Sequence, residues 1–119
     1  MQSFRNLKVW QKAHSMTLDV YRSTRVFPKE ELYGLTIQMR RCAAFIGANI
    51  AEGSCRNGDR DFGRFLQIAV GSASELEYHL LLARDLCLLD AAGYQRLSEE
   101  VVEVKKMLSA LLHKLRADS

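Results

Sequence analysis

The sequence predicts an all-α protein, an antiparallel up-down-up-down four-helix bundle that residues 1–119 form as one domain. Three observations predict this fold. Alanine, leucine, glutamate and arginine are frequent, and all four favour helix. One proline and seven glycines leave little room for linkers in 119 residues. Apolar residues recur at helical spacing in four segments, and short turn signals separate these segments.

The first helix is predicted from about residue 6 to residue 25, with Asn6 as its N-cap. It ends before Pro28 because a proline disfavours helical backbone at the residue that precedes it. Its inner face is apolar, and its polar face is mainly basic. The basic residues of that face are Arg5, Lys8, Lys12 and Arg22.

The second helix is predicted to start at Leu32 or Thr36 and to end within residues 51–54. At about 100° per residue, its apolar side chains fall on two opposite sides. Asn49 lies at the centre of the first side, and nearly all residues of the second side are small. The first side consists of Leu35, Met39, Cys42, Ile46 and Gly53, and the second of Ile37, Ala44, Gly47, Ala48 and Ala51.

A turn signal at residues 56–59 precedes the third helix, predicted over residues 60–88 and capped by Asn57 or Asp59. This helix also has two apolar stripes. The first consists of Phe62, Phe65, Leu66, Ala69, Ala73, Leu76, Leu80, Ala83 and Cys87, and the second of Ile68, Gly71, Leu82 and Leu86. Two adjacent helices with two apolar faces each need neighbours on nearly every side. The apolar surface beyond what one bundle needs predicts a subunit interface. The alternative is a monomeric bundle that covers both helices itself.

The fourth helix is predicted over residues 94–117, after a turn at residues 90–93. Its apolar residues follow the alternating spacing of four and three that is typical of helix bundles. Acidic and basic residues mix on its outer face, which we expect to be solvated. The apolar seam consists of Leu97, Val101, Val104, Leu108, Leu111 and Leu115.

Several functional classes find no support in the sequence. No apolar run reaches the roughly 18 residues of a membrane span, and residues 1–5 lack a signal-peptide core. The three cysteines form no C-x-x-C pair, which fits reduced thiols in the cytoplasm. No nucleophile elbow, phosphate-binding loop or zinc-protease motif occurs. We therefore predict a cytoplasmic protein that is not an enzyme, uses no cofactor and does not contact a membrane.

Glu75 and His79 invite a metal interpretation, because bundle proteins bind metals through Glu-x-x-His pairs and further carboxylates. They are four residues apart, however, and the sequence contains no Glu-x-x-His. A hydrogen-bond network between helices explains them better, so no metal site is predicted. Asn49, Glu52, Glu75 and Tyr78 are the predicted members of that network, since buried polar groups need partners. The functional alternative makes Glu52 a general acid or base.

The positive charge is unevenly distributed. Residues 1–64 carry eleven Lys or Arg and six Asp or Glu, whereas residues 65–119 carry six and eight. Arginine matches the geometry of phosphate groups, so we predict nucleic-acid binding by two basic sets. One is the stripe on the first helix, and the other surrounds the second helix and its loop; the alternative is a solvated face with ion pairs to Asp59 and Asp61. The second set consists of Arg40, Arg41, Arg56, Arg60 and Arg64.

Four segments together resemble a bacterial four-helix-bundle family first noticed as reading frames inside large-subunit rRNA intervening sequences. They are residues 4–13, 27–41, 48–53 and 65–77, and the run Ala-Asn-Ile-Ala-Glu-Gly at residues 48–53 is the family hallmark. Gly47 stands where relatives usually have proline. The resemblance implies a four-helix protomer that is often assembled as a ring-shaped homopentamer.

The resemblance also implies kinship with the accessory variability protein of diversity-generating retroelements. That protein has a basic surface and associates with a reverse transcriptase and nucleic acid. No catalytic residues carry over from the family. We therefore predict a homo-oligomer, a pentamer by the resemblance, that binds RNA or a reverse-transcriptase-like nucleoprotein through repeated basic patches. The alternative is a protein–protein assembly scaffold without nucleic-acid binding.

Overall fold

The computed structural model describes residues 3–118; Met1 and Gln2, which belong to the amino-terminal stretch considered above, and Ser119 lie outside them. Residues 3–118 contain no strand, so the all-α prediction is confirmed. The four long helices are α1, Lys8–Thr24; α2, Ile37–Ser54; α3, Asp59–Asp85; and α4, Ala91–Asp118. The shorter elements are 3-10 turns at Phe4–Asn6 and Lys29–Glu31 and a π-helical turn at Leu32–Thr36.

The predicted caps of α1 and α3 are wrong. Leu7 precedes α1, whereas Asn6 belongs to the preceding 3-10 turn. Gly58 precedes α3 with a φ of 96°, a left-handed value that glycine adopts readily. Neither Asn57 nor Asp59 caps α3 through its side chain, and Asp59 is the first residue of the helix. The turn is therefore made by backbone freedom and not by a side-chain cap.

The start of α2 lies close to the later of its two predicted positions. Gly34 has non-helical φ and ψ angles of −108° and −115°, which separate the turn before it from the helix after it. The Glu31 carboxylate accepts a hydrogen bond of 3.4 Å from the Leu35 N–H. This contact supplies one of the backbone N–H groups near the helix start with a partner.

The end of α3 and the course of α4 differ slightly from the prediction. Because α3 ends at Asp85, Cys87 lies beyond it, exposed and with a φ of 63°, and not on the apolar stripe. The Asp90 side chain accepts a hydrogen bond of 2.7 Å from the Gly93 N–H at the start of α4. Toward the other end of α4, Leu112 is buried in place of Leu111, since a straight helix drifts away from strict heptad spacing.

Each helix packs against its neighbours in chain order, and α4 also packs against α1. Three close approaches align the helices, namely Trp10 with Gly47, Phe65 with Gly53, and Leu112 with Gly63. The start of α1, the end of α2, the start of α3 and the end of α4 therefore meet. We call this the loop end and define it as residues 3–8, 52–64 and 112–118.

The inner faces of all four helices form one apolar core. It contains most of the first stripes predicted for α2 and α3; Phe62 and Asn49 are only partly buried at its edge, and Cys87 is exposed. Its largest fully buried side chains are Met16, Met39, Ile46, Ile50, Leu66, Leu76, Leu80, Leu97 and Leu108. Burial of this continuous apolar surface is what holds the four helices together.

The second apolar faces predicted for α2 and α3 are only partly covered: Gly47 packs against Trp10 and Leu82 against the core, whereas Ala48, Ile68 and Gly71 are exposed. Phe45 is 62% exposed, Ile68 43% and Tyr78 58%. A Cβ added at Gly71 would have nothing within 4 Å. We define the outer face as Phe45, Ala48, Ile68, Gly71 and Tyr78. One copy of the chain does not cover it.

Candidate nucleic-acid interface

The loop end carries the net positive charge of the molecule. It contains seven Lys or Arg and four Asp or Glu, and the chain as a whole has a formal net charge of +3. The rest of the chain is therefore balanced. Two basic residues of α4, Lys114 and Arg116, belong to this end and were not among the predicted site residues. The seven basic residues are Arg5, Lys8, Arg56, Arg60, Arg64, Lys114 and Arg116.

A groove of about 810 Å³ opens at this end between the start of α3 and the end of α4. Arg60, Arg64 and Arg116 line it together with Asp59 and Asp61. The groove thus combines arginines with carboxylates that offset part of their charge. Its remaining lining residues are Asn57, Gly63, Gln67, Leu112 and Leu115.

Arg56 and Arg64 are held in place by the same aromatic ring. Their guanidinium carbons lie 4.9 Å and 4.8 Å from the centre of the Phe65 ring, within the range of cation–π contacts. Arg56 also pairs with Glu52 at 2.6 Å, and Arg64 with Asp61 at 2.9 Å. These contacts orient both guanidinium groups before any ligand binds.

Other predicted basic residues make fewer contacts. Within residues 3–118, the side chains of Lys8, Arg41 and Arg60 have no hydrogen bond or ion pair. Lys8 and Arg60 belong to the loop end, so their charges are fully available to an anion there. Because exposed cations of this kind contribute most of the affinity of proteins for phosphate backbones, they are the strongest candidates for contact.

The structure does not bring all members of the two predicted basic sets together. Arg40 donates a hydrogen bond of 2.9 Å to the Thr24 hydroxyl, and its guanidinium lies 4.8 Å from the Tyr21 ring centre. It therefore clamps α2 to the end of α1. Arg40 lies fourteen residues before the end of α2 at Ser54, or roughly 21 Å along the helix, and Arg56 lies beyond that end. Arg40, Arg41 and Arg22 belong to the opposite half of the bundle, and Lys12 lies beside Glu100 of α4.

The four residues of the predicted polar network are not joined into one network. Asn49 donates a hydrogen bond of 2.8 Å to the Phe45 carbonyl of its own helix. Glu52 pairs with Arg56, and its side chain is 55% exposed. The expectation that both are buried polar groups is therefore wrong. They adjoin the outer face, which no other part of residues 3–118 covers. Tyr78 lies on that face, and the Glu75 carboxylate accepts a hydrogen bond from the Cys42 thiol instead.

Glu75 meets a residue that the sequence did not associate with it. The Cys42 thiol of α2 donates a hydrogen bond of 3.1 Å to the Glu75 carboxylate of α3. The Cys42 sulfur also lies 3.9 Å from Nδ1 of His79. Burial, together with the hydrogen bond and charge of Glu75, raises the pKa of Cys42 to about 12. The helical phase of Cys42, at the border of the first apolar side of α2, was the only signal for this contact.

Among residues 3–118, no helix is both long enough and apolar enough to cross a bilayer.

Comparisons with known proteins agree on the family and the fold. A family model described as 23S rRNA-intervening sequence protein matches residues 5–110. A crystal structure of a protein of unknown function from the S23 ribosomal protein family of Bacteroides thetaiotaomicron has the same fold. It is 24% identical, with a TM-score of 0.81, and the alignment covers 88% of this chain and 95% of that one. No curated protein matches the sequence.

Proposed function

Because the chain belongs to the 23S rRNA-intervening sequence protein family, we propose that it is a non-enzymatic, homo-oligomeric bundle protein that binds RNA or a nucleoprotein partner through repeated basic patches. The contacts at the loop end support the up-down-up-down order of the helices within one domain. A cytoplasmic location is part of the proposal, as is an assembly of five copies in a ring, which the family resemblance implies.

The observation that carries the proposal is the concentration of net charge at the loop end. A solvated surface without a partner has no need to segregate its charge, whereas a polyanion-binding surface gains affinity from it. The groove between α3 and α4 adds arginines whose planar groups suit phosphates. Repetition of the loop end around an assembly would multiply this positive potential.

The outer face supports the assembly part of the proposal. Phe45, Ile68 and Tyr78 are large apolar or aromatic side chains left on the surface of one copy. Gly71 and Ala48 beside them add little bulk, so a second backbone could approach closely. Exposed apolar patches of this kind usually mark protein contacts. A second copy of the chain would remove the patch from water.

Binding of structured RNA at several salt concentrations tests the first part of the proposal. We expect affinity to fall roughly 10³- to 10⁵-fold between about 50 and 200 mM salt if six to ten phosphates are contacted. The double variant Lys8→Glu/Arg60→Glu should weaken binding strongly, because both cations lie at the loop end without partners. Arg22→Glu/Arg25→Glu is the matched control with the same charge change at the other end. Equal losses in both variants, or no RNA binding at low salt, would contradict the proposal.

Solution mass tests the second part. We expect the unmodified chain to have the mass of several copies, and Phe45→Glu to shift it toward one copy because a charge cannot be buried unpaired. Val102→Glu, at an exposed apolar position of α4, is the control and should leave the mass unchanged. A single-copy mass for the unmodified chain at all concentrations would refute the assembly.

A protein–protein scaffold is the second candidate, and the outer face favours it. In that case the charges serve solubility alone, and the chain should bind one protein partner and no nucleic acid. Isolation of complexes after nuclease treatment separates the two functions. A partner retained without RNA, with no salt-dependent RNA binding by the purified chain, would favour the scaffold.

A further inference from the structure

We infer that Cys42, Glu75 and His79 form a binding site for a divalent transition-metal ion of the zinc class, in the groove between α2 and α3. One ligand atom from each residue can be chosen so that all three lie within 4.8 Å of one another. The three supply a thiol, a carboxylate and an imidazole. The inference depends neither on RNA binding nor on assembly.

The distances are close to those that a bound ion requires. Zinc bonds to sulfur, nitrogen and oxygen are about 2.0–2.3 Å long, so neighbouring ligands of a tetrahedral ion stand roughly 3.4–3.6 Å apart. The Cys42 sulfur lies 3.1 Å from Oε2 of Glu75 and 3.9 Å from Nδ1 of His79. The other ring nitrogen of His79, Nε2, lies 3.9 Å from Oε2 of Glu75, and only one of the two nitrogens can bind a given ion. With one nitrogen chosen, the three ligand atoms lie within 4.8 Å of one another, so rotations of the side chains would bring them to the separation of bound ligands.

The supporting elements are rigid. Glu75 and His79 are one helical turn apart on α3, the spacing at which two side chains of one helix can share an ion. Cys42 reaches them from α2, and α2 and α3 are the most extensively packed pair of helices in the bundle. A site with ligands on two packed helices loses little backbone entropy on binding, because the helices already fix the backbone positions of its ligands.

The donor set selects the class of metal. Magnesium and calcium prefer oxygen ligands, whereas a thiolate and an imidazole favour zinc and its neighbours in the first transition series. Three protein ligands leave one position for water or a further ligand. The Glu75 side chain is 55% exposed and the His79 side chain 14%, so an ion can enter from the solvent side. Binding replaces the thiol proton of Cys42, which passes to the solvent.

The two other thiols of the chain and a neighbouring carboxylate provide controls that are not part of the site. Cys55 and Cys87 are the other free thiols, and both are exposed. Glu77 is close in sequence to Glu75, but its carboxylate accepts a 2.8 Å hydrogen bond from the Lys105 ammonium in an ion pair. A site specific to Cys42 must therefore survive the loss of these three side chains.

Cobalt(II) titration of the full, reduced chain tests the inference, because cobalt acquires a thiolate charge-transfer absorption when it binds cysteine. We expect one cobalt per chain with this absorption, displaced by zinc. The variant Cys55→Ala/Cys87→Ala should keep the absorption, and Cys42→Ala should lose it. Persistence of the absorption in Cys42→Ala, or its loss in Cys55→Ala/Cys87→Ala, would overturn the assignment.

Glu75→Gln and His79→Gln keep the inference testable if Cys42→Ala does not fold, since circular dichroism can verify the fold of each variant. We expect each to weaken cobalt binding by at least about tenfold, with Glu77→Gln unchanged. Equal affinity of Glu75→Gln, His79→Gln and the unmodified chain would overturn the inference. So would the absence of any cobalt or zinc binding by the unmodified chain at millimolar metal.

Discussion

The inner and outer faces of the α2–α3 pair are made by the same two helices but have different surroundings. On the inner face, Ile46, Leu66 and Leu76 are fully buried against α1 and α4. On the outer face, Phe45 and Ile68 are large, apolar and largely uncovered. Both faces repeat at helical spacing, so periodicity alone does not separate them. The difference shows that an apolar stripe indicates a contact without saying which molecule makes it.

The two faces also treat glycine differently. Gly53 faces inward, where an added Cβ would lie 2.7 Å from the Cβ of Phe65 and 2.9 Å from Cδ1 of Phe62. Gly71 faces outward, where the same atom would meet nothing within 4 Å. The inner glycine is required by the packing of one chain. The outer glycine has no such reason within one copy, which is consistent with a close approach by another.

The largest expected effect comes from truncating matched isoleucines on the two faces. Ile46→Ala should lower the free energy of unfolding by roughly 2–5 kcal/mol, because it leaves a cavity in the core. Ile68→Ala should lower it by less than about 1 kcal/mol under conditions where the chain is a single copy. Urea unfolding monitored by circular dichroism measures both. Comparable losses for the two variants would mean that the outer face is not free in one copy.

A smaller effect is expected from adding one methyl group at each glycine. Gly53→Ala should destabilise the fold by roughly 1–3 kcal/mol, because the new Cβ collides with atoms that cannot easily move. Gly71→Ala should stabilise one copy by roughly 0.5–1 kcal/mol through helix propensity. Thermal unfolding measures whether each variant gains or loses stability. A mass decrease in Gly71→Ala with higher stability would show close packing of helices between copies.

The smallest expected effect concerns the contact between α1 and α4. Charged groups cover this contact, whereas apolar groups make up the outer face. Asp19 pairs with Arg96 at 3.1 Å and lies against Glu100. Burial, then the hydrogen bond and charge of Asp19, raise the pKa of Glu100 from 4.5 to about 7. Burial alone would raise the pKa of Asp19, but Arg96 and the Glu100 hydrogen bond lower it.

These two pKa shifts give opposite dependences of stability on pH. The folded chain holds the Glu100 proton more tightly than the unfolded chain, so this contribution is present below pH 4.5 and is lost as pH rises through 7. The Asp19 contribution is instead lost as pH falls below 3.8. We expect Glu100→Gln to remove the decline in melting temperature between pH 5 and pH 8. If the melting temperature of this variant still declined over the same pH range, another group would be the cause of the decline.

Periodicity and turn signals were sufficient to predict the helices and most of the core. Ile46 and Leu80 were placed correctly because burial repeats every three or four residues in a helix. The predictions of the helix caps were wrong. Gly58 allows its turn through backbone freedom, which leaves no side-chain pattern to detect. The prediction that Cys87 lies on the apolar stripe of α3 was wrong because α3 ends before it.

The candidate sites were harder to predict, because they depend on which helix ends meet. Arg40 lies on α2 and Arg56 just beyond its end, and they were grouped together, yet the length of the helix keeps them apart. Lys114 and Arg116 come from the far end of the chain and join the loop end only through the order of the helices. The meeting of Cys42 with Glu75 likewise depends on the relative rotation of two helices, which no single helix specifies.

The packing of Trp10 against Gly47 has a practical consequence. Trp10 is the only tryptophan of the chain, and its indole stacks on the His14 imidazole with ring centres 4.8 Å apart. It stands just above the basic end of the bundle. Its intrinsic fluorescence is therefore a built-in optical reporter for events at that end, and no dye or label has to be attached.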